Sequence, residues 1–229
     1  MFVSERMARK LITVRPDTLL SEVRDLMVQH NIRHLPVVDG EGLLVGIISD
    51  RDMRAALPSS LLGKEAYERA LERVITHRAE EIMTANPLTI SVYYTIQDTL
   101  LMMRQKRVGA FPVIDENGYL KGILSTRDLL SSLANVMGIG EPGTLLCILA
   151  KEERGQLKKI VDIVTEENIL LGSVLVSRTW DVNKKAVFPY LLTNNVARVK
   201  QRLLDAGFQL FDPMQWYLDN VSSNPNLLL

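Results

Sequence analysis

The first half of the chain alternates between two hydrophobic spacings. After Arg15-Pro16, the residues Leu19, Leu20, Val23, Leu26 and Met27 recur at helical intervals. They predict a helix with one apolar face, capped by Asp17 or Thr18. Two compact apolar runs follow, Leu35 to Val38 and Leu43 to Ser49, divided by the turn signal Asp39-Gly40-Glu41-Gly42. These predict a pair of strands. Asp50 opens a further helix through Ala56. With a short extended segment from Leu11 to Val14, the unit reads β-α-β-β-α.

The same pattern then returns. Leu88 to Val92 is extended and Ile96 to Lys106 is helical. Phe111 to Ile114 and Leu120 to Ser125 are strands around Asp115-Glu116-Asn117-Gly118, and Thr126 to Leu133 is helical. The repetition reaches individual residues: Gly46-Ile47-Ile48-Ser49-Asp50-Arg51-Asp52 recurs as Gly122-Ile123-Leu124-Ser125-Thr126-Arg127-Asp128, an offset of 76 residues. The same offset pairs Met7 with Met83, Thr13 with Thr89, Met27 with Met103, Pro36-Val37 with Pro112-Val113, Asp39 with Asp115 and Gly42 with Gly118. A repeat that keeps turn glycines, a proline and polar residues marks two copies of one supersecondary unit, neither able to bury its apolar face alone. Two copies imply a pseudo-two-fold axis, with two related clefts where the units meet.

Between the copies, Pro58-Ser59-Ser60 breaks the helix, and Lys64 to Thr76 predicts another, apolar at Ala66, Ala70, Leu71 and Val74. Its expected role is to cover an edge of the repeats; the alternatives are a dimer contact or a lid over a cleft. Beyond the breaker cluster Gly138-Ile139-Gly140-Glu141-Pro142-Gly143 the pattern changes. Leu145 to Ala150, Leu170 to Ser177, Ala186 to Leu192 and Phe208 to Phe211 read as strands. Gly155 to Glu167 and a segment from Val196 to about Gly207 read as helices. This β-α-β-β-α-β order predicts a ferredoxin-like domain. Trp180 and Trp216 are expected to cover core edges, and the tail from Ser222 to Leu229 to be loose. The fold class is therefore α/β (α+β): a tandem pair with pseudo-two-fold symmetry plus a C-terminal ferredoxin-like domain. The segments expected are 1–57, 58–79, 80–137, 138–143, 144–213 and 214–229.

Charge narrows the function. Lys plus Arg equals Asp plus Glu at 27 each, so the formal net charge is zero. A chain-wide attraction to nucleic acid or to an anionic membrane is not expected. No apolar stretch approaches the roughly 20 residues of a membrane helix, and Met1 to Arg6 has no hydrophobic signal core; a cytoplasmic protein is expected. The single cysteine, Cys147, allows no intrachain disulfide and sits in an apolar run with no activating motif nearby, so it reads as a core residue.

The repeated Gly-h-h-Ser-x-x-Asp motif carries the chemistry. A strand ends at the serine and a helix begins just after it, offering unpaired N–H groups and a positive dipole end that suit phosphate. Ser49 and Ser125 reach the same place. Asp52 and Asp128, one turn in, are acceptor-only carboxylates able to take both hydroxyls of a ribose. Arg51 and Arg127 add positive charge. The competing reading is a plain capping box; duplication of the whole motif favours binding of a nucleoside phosphate.

Residues 7–57 and 83–134 resemble a tandem pair of CBS domains, the Bateman module, through Met83-Thr84, the Pro-Val-Val-Asp strand and the closing Gly-h-h-Ser-x-x-Asp. The resemblance implies adenine nucleotides or related adenosyl compounds in the clefts: AMP, ADP, ATP, NAD or S-adenosylmethionine. It implies ribose held by Asp52 and Asp128, hydroxyls at Ser49 and Ser125, and an adenine pocket lined by Thr13-Val14 and Thr89-Ile90. Arg33, His34, Leu35 and Pro36, with Gly109, Ala110, Phe111 and Pro112, fall near the nucleotide. Arg33 and His34 are replaced by Gly109 and Ala110 in the second copy, and Asp50 by Thr126, so the sites are not equal. Residues 144–213 resemble an ACT domain. Glu152, Arg154, Gly155 and Gln156 match the loop where an amino-acid effector binds in that family, although Glu152 and Arg154 stand where aspartate and proline are usual. The combined order is similar to acetoin-utilisation regulators and implies a role in acetoin or acetate metabolism.

The expected function is a non-catalytic sensor, homodimeric, that acts on a regulated enzyme without a metal or resident cofactor. One alternative is an amino-acid sensor with a structural CBS pair. Another is an enzyme, against which stand the absence of a Walker loop, nucleophile elbow or dinucleotide fingerprint and the unsuitable spacing of His30, His34 and His77. A nucleic-acid-binding module finds little support in the balanced charge.

Overall fold

The computed structural model describes residues 1–59, 61, 63–181 and 184–211. Trp216 and the tail lie outside the described residues, as does the side chain of Trp180. Contacts divide the chain into two compact units, Met1–Ser131 and Ser132–Leu229.

The first unit runs α1 (Val3–Arg6), α2 (Leu20–Gln29), β1 (His34–Val38), β2 (Leu44–Ser49), α3 (Asp50–Ala56), α4 (Lys64–Val74), a 3-10 turn at Ala79–Glu81, β3 (Thr84–Ala85), β4 (Ile90–Ser91), α5 (Ile96–Lys106), β5 (Ala110–Ile114), β6 (Leu120–Ser125) and the start of α6 (Thr126–Val136). Each copy is built on an antiparallel hairpin in matched register, His34 opposite Ser49 and Ala110 opposite Ser125. The turns follow from their sequence. Asp39 Oδ1 accepts the N–H groups of Glu41 and Leu43, both at 2.9 Å, and Gly42 takes a left-handed φ of 87°. Asp115 does the same for Asn117 and Tyr119, with Gly118 at 86°. A carboxylate folded onto its own turn beside a glycine at positive φ is the chemistry that selects this loop.

One local expectation is corrected. Neither Asp17 nor Thr18 caps α2, whose cap position is Leu19 with no side-chain bond. Thr18 Oγ1 instead accepts the Arg15 N–H at 3.0 Å, closing the preceding turn.

The hydrophobic spacing conceals an exchange. The segment that leads into each copy pairs with the other copy. Ala8 bridges Ile123 of β6, and Thr84 and Ala85 pair with Ile47 and Gly46 of β2. The cores follow the same crossing. Val3 and Met7 pack with Ile90, Ile96, Met103, Phe111, Val113, Leu124 and Leu129 of the second copy. Ala79, with Ile82 and Met83 beside it, packs with Val14, Leu20, Val23, Leu35, Val37 and Ile48 of the first. Val74 of α4 reaches this core too, so the inserted helix covers part of its edge. The crossing depends on two buried glycines. A β-carbon at Gly46 would collide with the Met83 thioether, and one at Gly122 with Met7, with the Ala8 carbonyl oxygen 3.1 Å away. The Met83 side chain can shift; the Ala8 backbone is held in the sheet. Gly122→Ala is therefore expected to cost about 1–3 kcal/mol by overpacking, more than Gly46→Ala. Urea denaturation of both variants checks the order.

The second unit holds β7 (Thr144–Leu145), β8 (Ile148–Lys151), α7 (Gln156–Glu166), β9 (Leu171–Asp181), β10 (Lys184–Leu191), α8 (Ala197–Asp205) and β11 (Gln209–Leu210). The run from Leu145 to Ala150, expected as one strand, is divided into β7 and β8, and the five-stranded sheet runs β11-β8-β10-β7 with β9 also on β10, all antiparallel. Apart from β7, the order β11-β8-β10-β9 is the interleaved one that the β-α-β-β-α-β reading requires. Ile160, Ile163 and Val164 of α7 and Val199 and Leu203 of α8 close its core against Ile148, Val187 and Leu191. Arg202 of α8 ties the two helices by donating to Glu166 and, at 3.1 Å, to Glu167. The breaker cluster has a packing role besides ending a helix: β-carbons at Gly138, Gly143 or Gly172 would each press into the Tyr190 ring, whose hydroxyl donates to the Glu141 carbonyl. Cys147 is buried, and burial pushes its thiol up to about 11, which leaves it inert at neutral pH.

Candidate functional site: two clefts in the repeat pair

Two clefts open in the first unit, of about 430 Å³ and about 340 Å³, both the size of a small-molecule site. The larger is lined by Ile47 and Ser49 at the end of β2 and by Asp50, Arg51 and Asp52 at the start of α3. Thr84, Pro87 and Leu88 of the crossing segment, then Arg107, Val108, Gly109, Ala110 and Pro112 of the second copy, complete most of its wall. The smaller is its image at the offset of the repeat. Ile123, Ser125, Thr126, Arg127 and Asp128 face Ala8 and His30, Asn31, Ile32, Arg33 and His34. Each cleft thus takes its Ser–Asp motif from one copy and its opposite wall from the other. The exchanged segments put Thr84 and Ala8 into the gap.

The Ser–Asp geometry is the same in both. Asp52 Oδ2 accepts from the Ser49 N–H and hydroxyl, both at 2.7 Å, while Ser49 Oγ accepts the Asp52 N–H at 3.3 Å. Asp128 Oδ2 accepts from the Ser125 N–H at 2.7 Å and its hydroxyl at 2.6 Å, and Ser125 Oγ accepts the Asp128 N–H at 3.4 Å. The motif is therefore a capping box, and each carboxylate is held rigidly at a cleft. The box uses Oδ2 of each carboxylate, and Oδ1 takes no part in it. The capping box therefore does not exclude a further contact through Oδ1.

Arg33, His34, Ser49, Arg51, Asp52, Ala110, Pro112, Ser125, Arg127 and Asp128 thus come together at the clefts. Val14, Leu35, Ile90 and Phe111 lie in the two cores, with Leu35 and Phe111 fully buried. Thr13, Pro36 and Thr89 are not among the cleft-lining residues. Strand alternation separates His34 from Leu35, and Ala110 and Pro112 from Phe111, because neighbours on one strand face opposite sides; Pro36 is buried. Ala8, Ile32, Thr84, Pro87, Arg107 and Val108 were not foreseen. The exchange of segments brings in Ala8, Thr84 and Pro87. The left-handed ends of α2 and α5 present the others: Asn31 and Arg107, related by the repeat, have φ of 51° and 55°. Asparagine tolerates that region; an arginine there is strained. In the second unit, Gly155 supplies the left-handed φ of 88° that starts α7, Glu152 pairs with Lys185 at 2.7 Å, and Gln156 donates to Glu153 at 3.2 Å. Arg154 is exposed.

His34 lines both clefts and is the perturbed base among their residues. Burial holds its pKa below the usual 6.5; Asp50 and Asp52 oppose this, and Arg33 and Arg51 add to it. An unfolded chain takes up this proton first as pH falls. The stability carried by neutral His34 is thus present above about 6.5 and is lost as pH drops through the lowered folded value. His34→Gln is expected to flatten the fall in unfolding free energy between pH 7 and 5. Parallel pH curves for parent and variant would remove His34 as its source.

Two interlocked copies with a motif cleft apiece define a tandem-repeat module. The CBS domain family matches the chain at residues 3–59 and 79–135. A CBS domain-containing protein of Dictyostelium discoideum is 37% identical over 135 residues, 59% of this chain and 92% of that protein. The inosine-5'-monophosphate dehydrogenase of Aquifex aeolicus is 29% identical over 119 residues, 52% of this chain but 22% of the enzyme. The crystal structure of protein MJ1225 of Methanocaldococcus jannaschii superposes with a TM-score of 0.51 at 31% identity, covering 58% of this chain and 48% of that one. The chain belongs to the CBS-domain proteins. Its similarity to the dehydrogenase spans about a fifth of that enzyme. Among the described residues, no helix is long and apolar enough to cross a membrane.

Proposed function

We propose that the chain is a non-catalytic regulatory sensor that binds an adenine nucleotide or adenosyl compound in the two clefts. The observation that carries this reading is the duplicated Ser–Asp box. Each box fixes a carboxylate at a cleft while a helix N-terminus and an arginine stand beside it. A carboxylate with one oxygen committed to a serine and one outside the box suits a ribose hydroxyl; the amide groups and arginines suit phosphate. AMP, ADP, ATP, NAD and S-adenosylmethionine share this adenosyl part.

The second unit passes cleft occupancy to a homodimer partner or a regulated enzyme, in keeping with its β-α-β-β-α-β topology and its likeness to ACT domains. The resemblance of the domain order to acetoin-utilisation regulators supports a role in acetoin or acetate metabolism as part of this proposal. Occupancy alters the output only if the ligand prefers one arrangement of the protein.

A thermal-shift panel of the five adenosyl ligands, GMP and small amino acids tests the reading. A ligand present at 100 times its Kd stabilises the folded state by about 2.7 kcal/mol. Adenosyl ligands are expected to raise the midpoint. A rise with amino acids alone would replace the reading with an effector site at Glu152, Arg154, Gly155 and Gln156.

A further inference from the structure

The two clefts are related by the repeat, yet their walls are not independent. By symmetry, Arg33 and His34 belong to the Asp128 cleft, as Gly109 and Ala110 belong to the Asp52 cleft. Both Arg33 and His34 nevertheless line both clefts. The reason lies in the second copy. Gly109 has no side chain, and a β-carbon there would stand 3.2 Å from His34 Nε2. His34 of the first copy thus lies against the space that Gly109 leaves open, and Arg33, His34 and Thr126 form the wall common to the two clefts.

Arg33 is exposed, and its guanidinium makes no hydrogen bond or ion pair among the described residues. Among the described residues it is a cation without a committed partner, at the boundary of the two clefts. We infer that Arg33 is shared between the clefts and makes the binding of two phosphate-bearing ligands antagonistic. This rests on the nucleotide reading above. A guanidinium turned fork-on toward one phosphate is withdrawn from the other cleft. The second ligand then binds with less charge compensation, beside the negative charge of the first. The Asp52 cleft keeps Arg51 and Arg107 as arginines of its own and the Asp128 cleft keeps Arg127 alone, so the antagonism falls mainly on the Asp128 cleft. An uncharged ligand makes no demand on Arg33 and is not coupled.

Calorimetric titration of the full chain with AMP and with adenosine tests this. The readout is the ratio of the second to the first macroscopic dissociation constant. In the parent, the AMP ratio is expected to exceed the adenosine ratio by roughly tenfold, the scale of one charge-assisted contact. In Arg33→Ala and Arg33→Gln the AMP ratio is expected to fall several-fold toward that of adenosine, leaving only the repulsion between the two phosphates. Two clefts that merely differ in strength would keep their ratio in both variants, and that result overturns the sharing while leaving the nucleotide reading in place. So would equal ratios for AMP and adenosine in the parent, or a second AMP that binds more tightly than the first. If neither ligand binds, the nucleotide reading fails and the sharing fails with it.

Discussion

Replacing Asp52 or Asp128 by alanine is expected to weaken AMP binding at its own cleft by about 10- to 100-fold, with a smaller change at the other. The charge-assisted bonds of a carboxylate to a ribose diol are worth about 1.5–3 kcal/mol each, and about 1.4 kcal/mol is tenfold in affinity. The same substitution removes the capping box, because Asp52 Oδ2 is the acceptor for both the Ser49 N–H and its hydroxyl. Loss of a cap costs about 1 kcal/mol, so stability falls modestly. Two measurements separate the roles: titration for affinity and denaturation for stability. A purely structural box predicts lost stability with affinity unchanged. A double variant Asp52→Ala, Asp128→Ala that binds AMP as tightly as the parent removes the ribose assignment.

Phe111→Ala is expected to destabilise the first unit by about 3–5 kcal/mol, the cost of deleting a buried aromatic side chain. Phe111 has no exposure and packs with Met7, Met103, Val113 and Leu124. Its neighbours Ala110 and Pro112 line the Asp52 cleft, so the ring is one residue from ligand and on the other side of the strand. A loss of this size is a large part of the roughly 5–15 kcal/mol that holds a domain folded. The variant should unfold at markedly lower urea, and its folded fraction should bind AMP like the parent. The opposite outcome, full stability with lost binding, would place the ring against the ligand and revise the course of β5.

The period of the hydrophobic residues located the helices and strands because burial of one face is a local property of the pattern. α3 and β6 begin and end where the spacing puts them, and the Asp39 and Asp115 turns carry their instructions in four residues. The duplicated Ser–Asp motif was legible for the same reason. Its hydrogen bonds span three residues, so spacing alone brings the groups together. The β-α-β-β-α-β order of the second unit was readable too, and its sheet order follows from packing both helices on one face.

What the tertiary structure decided lies where contacts are long-range. Met7 over Gly122 and Met83 over Gly46 join residues more than a hundred and some forty positions apart in the alternation of cores, and no local period records such a crossing. It is this exchange that places Ala8 and Thr84 in the clefts. Similarly, the sequence named Arg33 and His34 as departures from the repeat, but only the close approach of His34 to Gly109 put both residues against two sites. Within one strand, side-chain direction sorted His34 from Leu35, and Ala110 and Pro112 from Phe111. A stretch of sequence marks the neighbourhood of a ligand; the pleat of the folded strand determines which of its side chains face the cleft and which are spent on the core.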